Sequence, residues 1–194
     1  MRTVAFLGLC HDEVAGLTDQ DIRQGGVDEI WTVNNYYDRD LSVVNPDRVY
    51  QCHMQQISTR MVDAYNASGA LIVTPQPVAG LHRNRVFDAS RLFDIEHHGF
   101  FSSSFAPMWL DAWSEHVDMI VLLGIPLAAG IEYQTQVPGM LAGIKQSRAY
   151  GINVWTPHEK RWLAHMDAPD WNTMYTLHES YIHYCTRLSN GTEG

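Results

Sequence analysis

The chain has 194 residues, of which 45% are hydrophobic, so it can bury the core of one α/β domain, and disorder as the dominant state is excluded. Its 13 Lys and Arg stand against 22 Asp and Glu, which gives a formal net charge of −9. This balance excludes a chain-wide basic surface for nucleic acid, and we expect no nucleic-acid partner.

The sequence predicts neither a targeting segment nor a membrane span. The apolar run at residues 4–9 is too short for a secretory signal, and no stretch approaches the roughly 20 apolar residues that cross a bilayer. Three cysteines, Cys10, Cys52 and Cys185, are an odd number in a chain of this size. We expect a cytoplasmic protein without a membrane partner, whose cysteines are mostly buried thiols.

In the first half of the chain, apolar runs alternate with short helical patterns. Four runs predict strands, at residues 3–8, 29–33, 48–52 and 70–74. Between the first two strands, Thr18 is a candidate helix N-cap and Gly25-Gly26 is a stop signal. One helical face before the fourth strand is formed by Ile57, Met61, Ala64 and Tyr65.

In the second half, residues 78–100 lack clear periodicity and carry most of the basic side chains. The predicted elements beyond them are a helix over 105–116, a strand over 118–124, a helix over 138–150, a strand over 152–155 and a tail helix over 172–188. Ser104 is a cap candidate for the first of these helices, and Pro138 suits the first turn of the second.

Strands and helices that alternate at this spacing predict the fold class. It is α/β, a single doubly wound, mostly parallel sheet with helices on both faces and a C-terminal helical appendage. We expect one domain over residues 1–166 and a helical tail over 167–194. The tail helix is apolar on more than one side, so it packs either on the same domain or on a partner subunit of a homo-oligomer.

Polar residues and glycines follow four of the predicted strands. They are Gly8 with His11, Asn34 with Asn35, His53, and Gly124. In parallel α/β sheets, ligands bind where the strands end. Because loops are polar in any protein, a single such position carries little weight, but the coincidence at four strand ends favours a binding site.

Three motifs of the chain resemble a known family. Phe101-Ser102-Ser103-Ser104-Phe105 precedes an amphipathic helix, Met119 to Ile125 form a buried strand that ends in Gly-Ile, and Glu132 to Gly139 read EYQTQVPG. This ordered series resembles the bacterial lipooligosaccharide sialyltransferases, and it is similar above all to bacteriophage-encoded relatives of that fold. The resemblance covers roughly residues 3–163.

The resemblance implies a Rossmann-like nucleotide-binding domain that holds a cytidine nucleotide sugar. By position, Gly8 matches the first turn and Asn34 or Asn35 the asparagine after the second strand. A third polar position falls at His53 or Cys52, and Ser103-Ser104 match the family's hydroxyl pair. Independently of the family, hydroxyls and amides at a helix N-terminus suit a phosphate or carboxylate. The alternative is that the serines only cap the helix over 105–116.

The chain departs from the family at the first loop and at the base. Gly8 to Asp12 lack the second glycine and the Pro-Ser of the family, and Pro126 replaces an aspartate. Glu132 to Gln136 stand where the family has a histidine. These losses favour a non-catalytic binder that sequesters a nucleotide-like molecule. A diphosphate-transferring enzyme is a third possibility, because relatives of this broad fold handle pterin diphosphates, and a Mg²⁺ requirement would distinguish it.

Candidate chemistry rests on three residues. Glu132 is a candidate base and Tyr133 a candidate donor to the leaving phosphate, unless both belong to a solvated loop. His158 follows the last strand and either reaches a ligand or lies on the surface.

Arg83, Arg85 and Arg91 are candidates for a lid over an anion, or are ordinary solvated arginines.

No metal site is expected. Two clusters contain metal-ligand residue types, His11-Asp12-Glu13 and Asp94 with His97 and His98, but neither forms an established metal motif. We expect a nucleotide- or nucleotide-sugar-binding protein of glycosyltransferase-like type, encoded by a phage and acting in the host cytoplasm. A nucleotide or nucleotide sugar is its expected donor substrate, and no other cofactor is indicated.

Overall fold

The computed structural model describes residues 1–14, 16–34, 36–38, 44–88, 104–127 and 136–160. The strands are β1 (Thr3–Leu7), β2 (Glu29–Val33), β3 (Arg48–Tyr50), β4 (Leu71–Thr74), β5 (Asn84–Val86), β6 (Met119–Leu123) and β7 (Asn153–Trp155). The α-helices are α1 (His11–Val14), α2 (Asp19–Gln24), α3 (Thr59–Ser68), α4 (Ala106–Ser114) and α5 (Val137–Ala149). Short 3-10 turns cover Tyr36–Asp38 and Met54–Gln56.

All seven described strands form one parallel sheet in the order β5-β4-β3-β2-β1-β6-β7. The chain builds outward from β1 to β5, then crosses back and continues with β6 and β7 on the other side of β1. The strand order therefore reverses between β1 and β6, where doubly wound sheets form a ligand crevice. The predicted doubly wound α/β fold is confirmed.

Helices cover both faces of the sheet because side chains alternate along each strand. On one face, Phe6 and Trp31 join Trp109 of α4 in the largest core cluster, with the Phe6 and Trp109 rings 5.0 Å apart edge to face. On the other face, Leu7 packs with Ile22 of α2. Helix α3 packs on this second face beside β3 and β4.

Helices α4 and α5 touch at a glycine. A side chain at Gly143 would place its Cβ 2.5 Å from the ring of Trp109, so the helices approach as closely as they do only because this residue is glycine. Beside this contact, the indole N–H of Trp113 donates to Ser147 Oγ over 2.8 Å. Both interactions hold α4 against α5 on one face of the sheet.

At the edge where the strands begin, charged residues form a network. Arg48 donates to Glu115 over 2.5 Å, and Arg2 donates to the same carboxylate over 2.8 Å. Glu29 Oε2 lies 3.1 Å from Nη2 of Arg48. The guanidinium carbon of Arg48 also lies 4.3 Å from the centre of the Trp31 ring. This network ties three strand starts to the end of α4, far along the strands from the predicted site.

Most predicted elements are confirmed within one or two residues. Thr18 caps α2 by accepting from the Asp21 amide, and Gly25 ends the helix. Strand β3 stops at Tyr50, earlier than predicted. Strand β5 was not predicted, because Asn84-Arg85-Val86 contains no apolar run.

The tail helix over 172–188 and the unit over 167–194 lie outside the described residues. Their predicted packing on the domain or on a partner subunit stays a prediction. Within the described ranges, no helix has the length and the apolar composition needed to cross a bilayer.

Candidate functional site

Two glycines meet at the point where the strand order reverses. The Gly8 amide donates to Leu123 O over 2.8 Å, and the Cys10 amide donates to Gly124 O over 3.3 Å. A Cβ at Gly8 would overlap the Gly124 carbonyl, and Gly124 itself has a φ of +64°. These glycines allow β1 and β6 to approach each other, and the two amides bond to β6 rather than to a ligand.

Asn34 follows β2 in a left-handed conformation, with a φ of +50°, which is uncommon outside glycine. Three hydrogen bonds hold it there. Its backbone N–H donates to Tyr50 O over 3.0 Å, and Tyr65 Oη donates to its backbone carbonyl over 2.9 Å. Its side-chain Nδ2 donates to Ser104 Oγ over 3.2 Å. Such a constrained residue at a strand end is a candidate for function.

Ser104 does not cap the helix that follows it. Phe105 occupies the N-cap position of α4, and among the described residues no side chain caps that end. The interpretation of Ser104 as a cap is therefore wrong. Its hydroxyl lies against the side chain of Asn34 because the crossover from β5 brings the start of α4 to the end of β2.

Gln51 is a polar residue that the sequence analysis did not select. It directly follows β3, is 0% exposed, and donates from Nε2 to His53 O over 3.1 Å. Its Oε1 is buried and has no hydrogen-bond partner in the described part of the chain. A buried acceptor without a donor is costly, so this atom marks a position where a donor from water or ligand fits. The only sequence signal was a glutamine at the end of an apolar strand.

His158 and Glu13 form a pair across the reversal. His158 follows β7 and Glu13 lies in α1, and 2.9 Å separates Nε2 from Oε2. The side chains are 14% and 26% exposed. A carboxylate can only accept here, so Nε2 of His158 is the donor in this pair. The sequence predicts His158 as a candidate residue but gives no indication of its partner.

The structure places the predicted residues along one edge of the sheet, which we call the carboxyl edge. Gly8, Asn34 and Gly124 directly follow neighbouring strands, and His53 lies three residues after β3. Asn35, Ser103, Glu132 and Tyr133 lie outside the described residues. His11 begins α1, and its side chain is also outside the described part.

The interpretation of Arg83 and Arg85 as a mobile lid is wrong. The Arg83 guanidinium donates to Gly69 O, and Arg85 forms an ion pair with the buried carboxylate of Asp111 in α4. Both arginines are therefore held by the fold. The third lid candidate, Arg91, lies outside the described residues.

Cysteines and metal-ligand residue types give no further site in the described ranges. Cys52 is buried, as predicted, whereas Cys10 is partly exposed. No group of three His, Cys, Asp or Glu side chains is arranged to hold a metal ion among the described residues. Asp94, His97 and His98 lie outside them.

Comparisons of this chain with protein-family profiles, with curated proteins and with solved structures each gave no match. The site is therefore interpreted from its geometry. That geometry combines the reversal at Gly8 and Gly124, the constrained Asn34 with Ser104, the buried acceptor of Gln51, and the His158–Glu13 pair.

Proposed function

We propose that this protein binds a nucleotide or a nucleotide sugar at the carboxyl edge, around Asn34. The observation that carries the proposal is that the side-chain amide of Asn34 is held in one orientation beside the reversal of strand order. A side-chain amide offers both a donor and an acceptor, which suits a base edge or a ribose hydroxyl. Doubly wound sheets bind nucleotides at this place.

The base and ribose of the ligand are proposed to lie on the β2–β3 side of the reversal, and the sugar of a nucleotide sugar would extend from there across β1 and β6 towards His158. The amides of Gly8 and Cys10 already bond to β6, so they do not cradle a diphosphate in the manner of a glycine-rich first loop. Gln51 lies on the β2–β3 side, and its Oε1 would accept from a ring or exocyclic N–H of a base.

The proposal is tested by thermal unfolding of the full chain with CMP, UMP, AMP and GMP and with CMP- and UDP-linked sugars at millimolar concentration. A ligand at about 100 times its Kd adds about 2.7 kcal/mol to the free energy of unfolding, so a matching nucleotide raises the midpoint by several degrees. Asn34→Gly should fold, because glycine tolerates a positive φ, and should lose this rise. Asn153→Gly, on the exposed edge strand, is the matched control.

The absence of a rise with every nucleotide and nucleotide sugar overturns the proposal. So does an Asn34→Gly variant that keeps the full rise.

Group transfer from a nucleotide sugar is the chemistry that the His158–Glu13 pair favours. In this reaction the acceptor hydroxyl gives its proton to the imidazole of His158, and its oxygen forms the new bond to the anomeric carbon. The bond from that carbon to the phosphate breaks, and the nucleotide leaves with the electron pair. Glu13 stabilises the imidazolium that forms, as a carboxylate does in other acid–base pairs. Glu132 and Tyr133 stay alternative candidates.

A binder without catalysis is the second candidate, and the occupied amides of Gly8 and Cys10 favour it. The two are separated by measuring nucleotide release from CMP- and UDP-sugars in the presence of glycan acceptors. If transfer occurs, His158→Gln and Glu13→Gln lower the rate by about a hundredfold or more and keep the thermal shift. A wild-type chain that shows the thermal shift but releases no nucleotide is a binder.

A further inference from the structure

A groove lies between α3 and the loop that connects β4 to β5, and neither Asn34 nor Ser104 lines it. Its volume is about 820 Å³, within the roughly 300–1,000 Å³ typical of small-molecule sites. Val62, Asp63 and Asn66 of α3 line one wall, and Pro77 and Val78 of the loop line the other. Their sequence pattern alone predicts no function.

The walls of this groove are held in place by side-chain amides. Asn66 donates from Nδ2 to Gly80 O over 2.8 Å and accepts from the His82 amide over 2.9 Å. Asn84 accepts from the Val78 amide over 3.0 Å. Two asparagines therefore fix the loop against α3 and β5, so the groove is formed before any ligand arrives.

The lining determines which ligands fit. Its polar groups include the hydroxyls of Ser58 and Thr59, the Asp63 carboxylate and the His82 ring, and no Lys or Arg belongs to the described lining. A phosphate or carboxylate ligand would meet a negative side chain without a fixed cation to balance it. Aliphatic surface from Val62 and its neighbours alternates with these polar groups, which is the mixture that a molecule with hydroxyls and C–H faces requires.

We propose that this groove binds an uncharged saccharide. The two oxygens of Asp63 accept hydrogen bonds from neighbouring hydroxyls of a sugar, and the aliphatic side chains pack against its C–H face. None of the lining residues is among those proposed to hold the nucleotide, and this proposal does not depend on that one. Both are nevertheless attached to one helix, because Tyr65 of α3 donates to the carbonyl of Asn34.

The test is titration of the full-length, isotope-labelled chain with lactose, maltose and chitobiose, followed by amide chemical shifts. We expect saturable shifts at α3 and at residues 77–82. Ala79→Trp, which fills the groove from an exposed loop position, should abolish them, and Ala149→Trp, on the exposed end of α5, should bind as the wild type does. Asp63→Asn should weaken binding about tenfold, because a charge-assisted hydrogen bond becomes a neutral one.

Three outcomes overturn the proposal: no saturable shift with any of the three sugars, equal binding by Ala79→Trp and the wild type, or saturation by the diamine putrescine instead of the sugars. None of them bears on nucleotide binding, which is measured separately by thermal unfolding with CMP, UMP, AMP and GMP. If the groove binds no saccharide, the proposed nucleotide binding is unaffected. If no nucleotide binds, the proposal for the groove is likewise unaffected.

Discussion

Asn34 and Ser104 are joined by a hydrogen bond between their side chains, although 70 residues separate them along the chain. The serine leaves the start of α4 without a side-chain cap and instead orients the amide of Asn34 at the carboxyl edge. A helix that forgoes a cap gives up about 1 kcal/mol, so the position of this serine is better explained by the site than by the helix.

The first prediction concerns this pair. Ser104→Ala should lower the free energy of unfolding by about 1 kcal/mol or less, because one partly buried hydrogen bond is lost. It should also reduce nucleotide binding, since the Asn34 amide is no longer oriented. Ser58→Ala is the matched control: Ser58 caps α3 by accepting from the Met61 amide over 3.3 Å, so its loss costs similar stability without affecting nucleotide binding. Chemical unfolding and nucleotide titration of both variants measure the difference, and equal nucleotide affinity in the two would contradict the prediction.

The second prediction concerns Gln51. Gln51→Met removes a buried acceptor that has no partner in the described chain, while His53 O keeps the hydrogen bond from the Gln56 amide. An unsatisfied buried polar atom costs about 1–3 kcal/mol, so the free protein should become no less stable, and its midpoint should stay or rise. Nucleotide binding should fall in the same variant.

Thr74→Val is the control for Gln51→Met. Thr74 is equally buried, but its hydroxyl donates to Gln76 O and accepts from Asn84 Nδ2, each over 2.7 Å. Removing it should destabilise the protein by about 1–2 kcal/mol, because two partners lose a hydrogen bond. Thermal unfolding of both variants without ligand should therefore show a lower midpoint for Thr74→Val and an unchanged or higher one for Gln51→Met, and a Gln51→Met variant as unstable as Thr74→Val refutes the assignment.

The third prediction concerns the contact between β1 and β6. Gly8→Ala places a methyl group on the Gly124 carbonyl, and neither backbone can move without opening the sheet at its centre. We expect a loss of about 3 kcal/mol, at the upper end of the cost of overpacking. Gly26→Ala adds only the strain of a left-handed residue, because nothing lies within 4 Å of its new methyl group, and it should cost about 1 kcal/mol. Denaturant unfolding distinguishes the two, and equal losses would show that the backbones do not touch.

The fourth prediction concerns acid stability. Burial alone would raise the pKa of Glu115, but hydrogen bonds from Arg48 and Arg2 outweigh it and hold that pKa at about 2, below the ordinary value of 4.5. A carboxyl whose pKa is lowered by folding stabilises the native state above the unfolded pKa. This contribution is therefore complete above about pH 5 and is lost as the pH falls from 4.5 towards 2.

Glu115→Gln should lower stability at neutral pH by about 2 kcal/mol, because the mostly buried Arg48 loses one of its two carboxylate partners and keeps only Glu29, and it should flatten the loss of stability in acid. Glu159→Gln breaks an exposed pair with Arg148 and should cost less than about 1 kcal/mol. Unfolding between pH 2 and pH 7 measures both variants. A wild-type acid profile retained in Glu115→Gln would exclude this carboxyl as its source.

Local sequence patterns predicted the centre of the sheet and the edge strand β7, but not the other edge strand, β5. Strand β1 is buried along its whole length and β6 is buried at every second residue, and both appear as largely apolar runs. Strand β5 has polar side chains with defined partners: Asn84 bonds to Thr74 and Arg85 pairs with Asp111. Such partners lie on other elements, so the pattern of the strand itself contains no signal for them.

The sequence predicted at which edge of the sheet the site lies, but not which side chains contact each other there. Glycine and asparagine at strand ends identified Gly8, Asn34 and Gly124, because parallel strands bring their ends together. Serine before a helix has the same local pattern whether it caps the helix or bonds elsewhere, so Ser104 required the tertiary structure. The His158–Glu13 pair joins residues 145 positions apart, and no local spacing encodes it.

The contact between Gly8 and Gly124 also determines which positions can change the ligand preference. There is no room for a side chain at Gly8, and Gly124 has a positive φ, so substitutions at either glycine would destabilise the sheet before they altered ligand selectivity. A directed-evolution library aimed at a different small molecule should therefore randomise Gln51 and His53, and keep both glycines fixed.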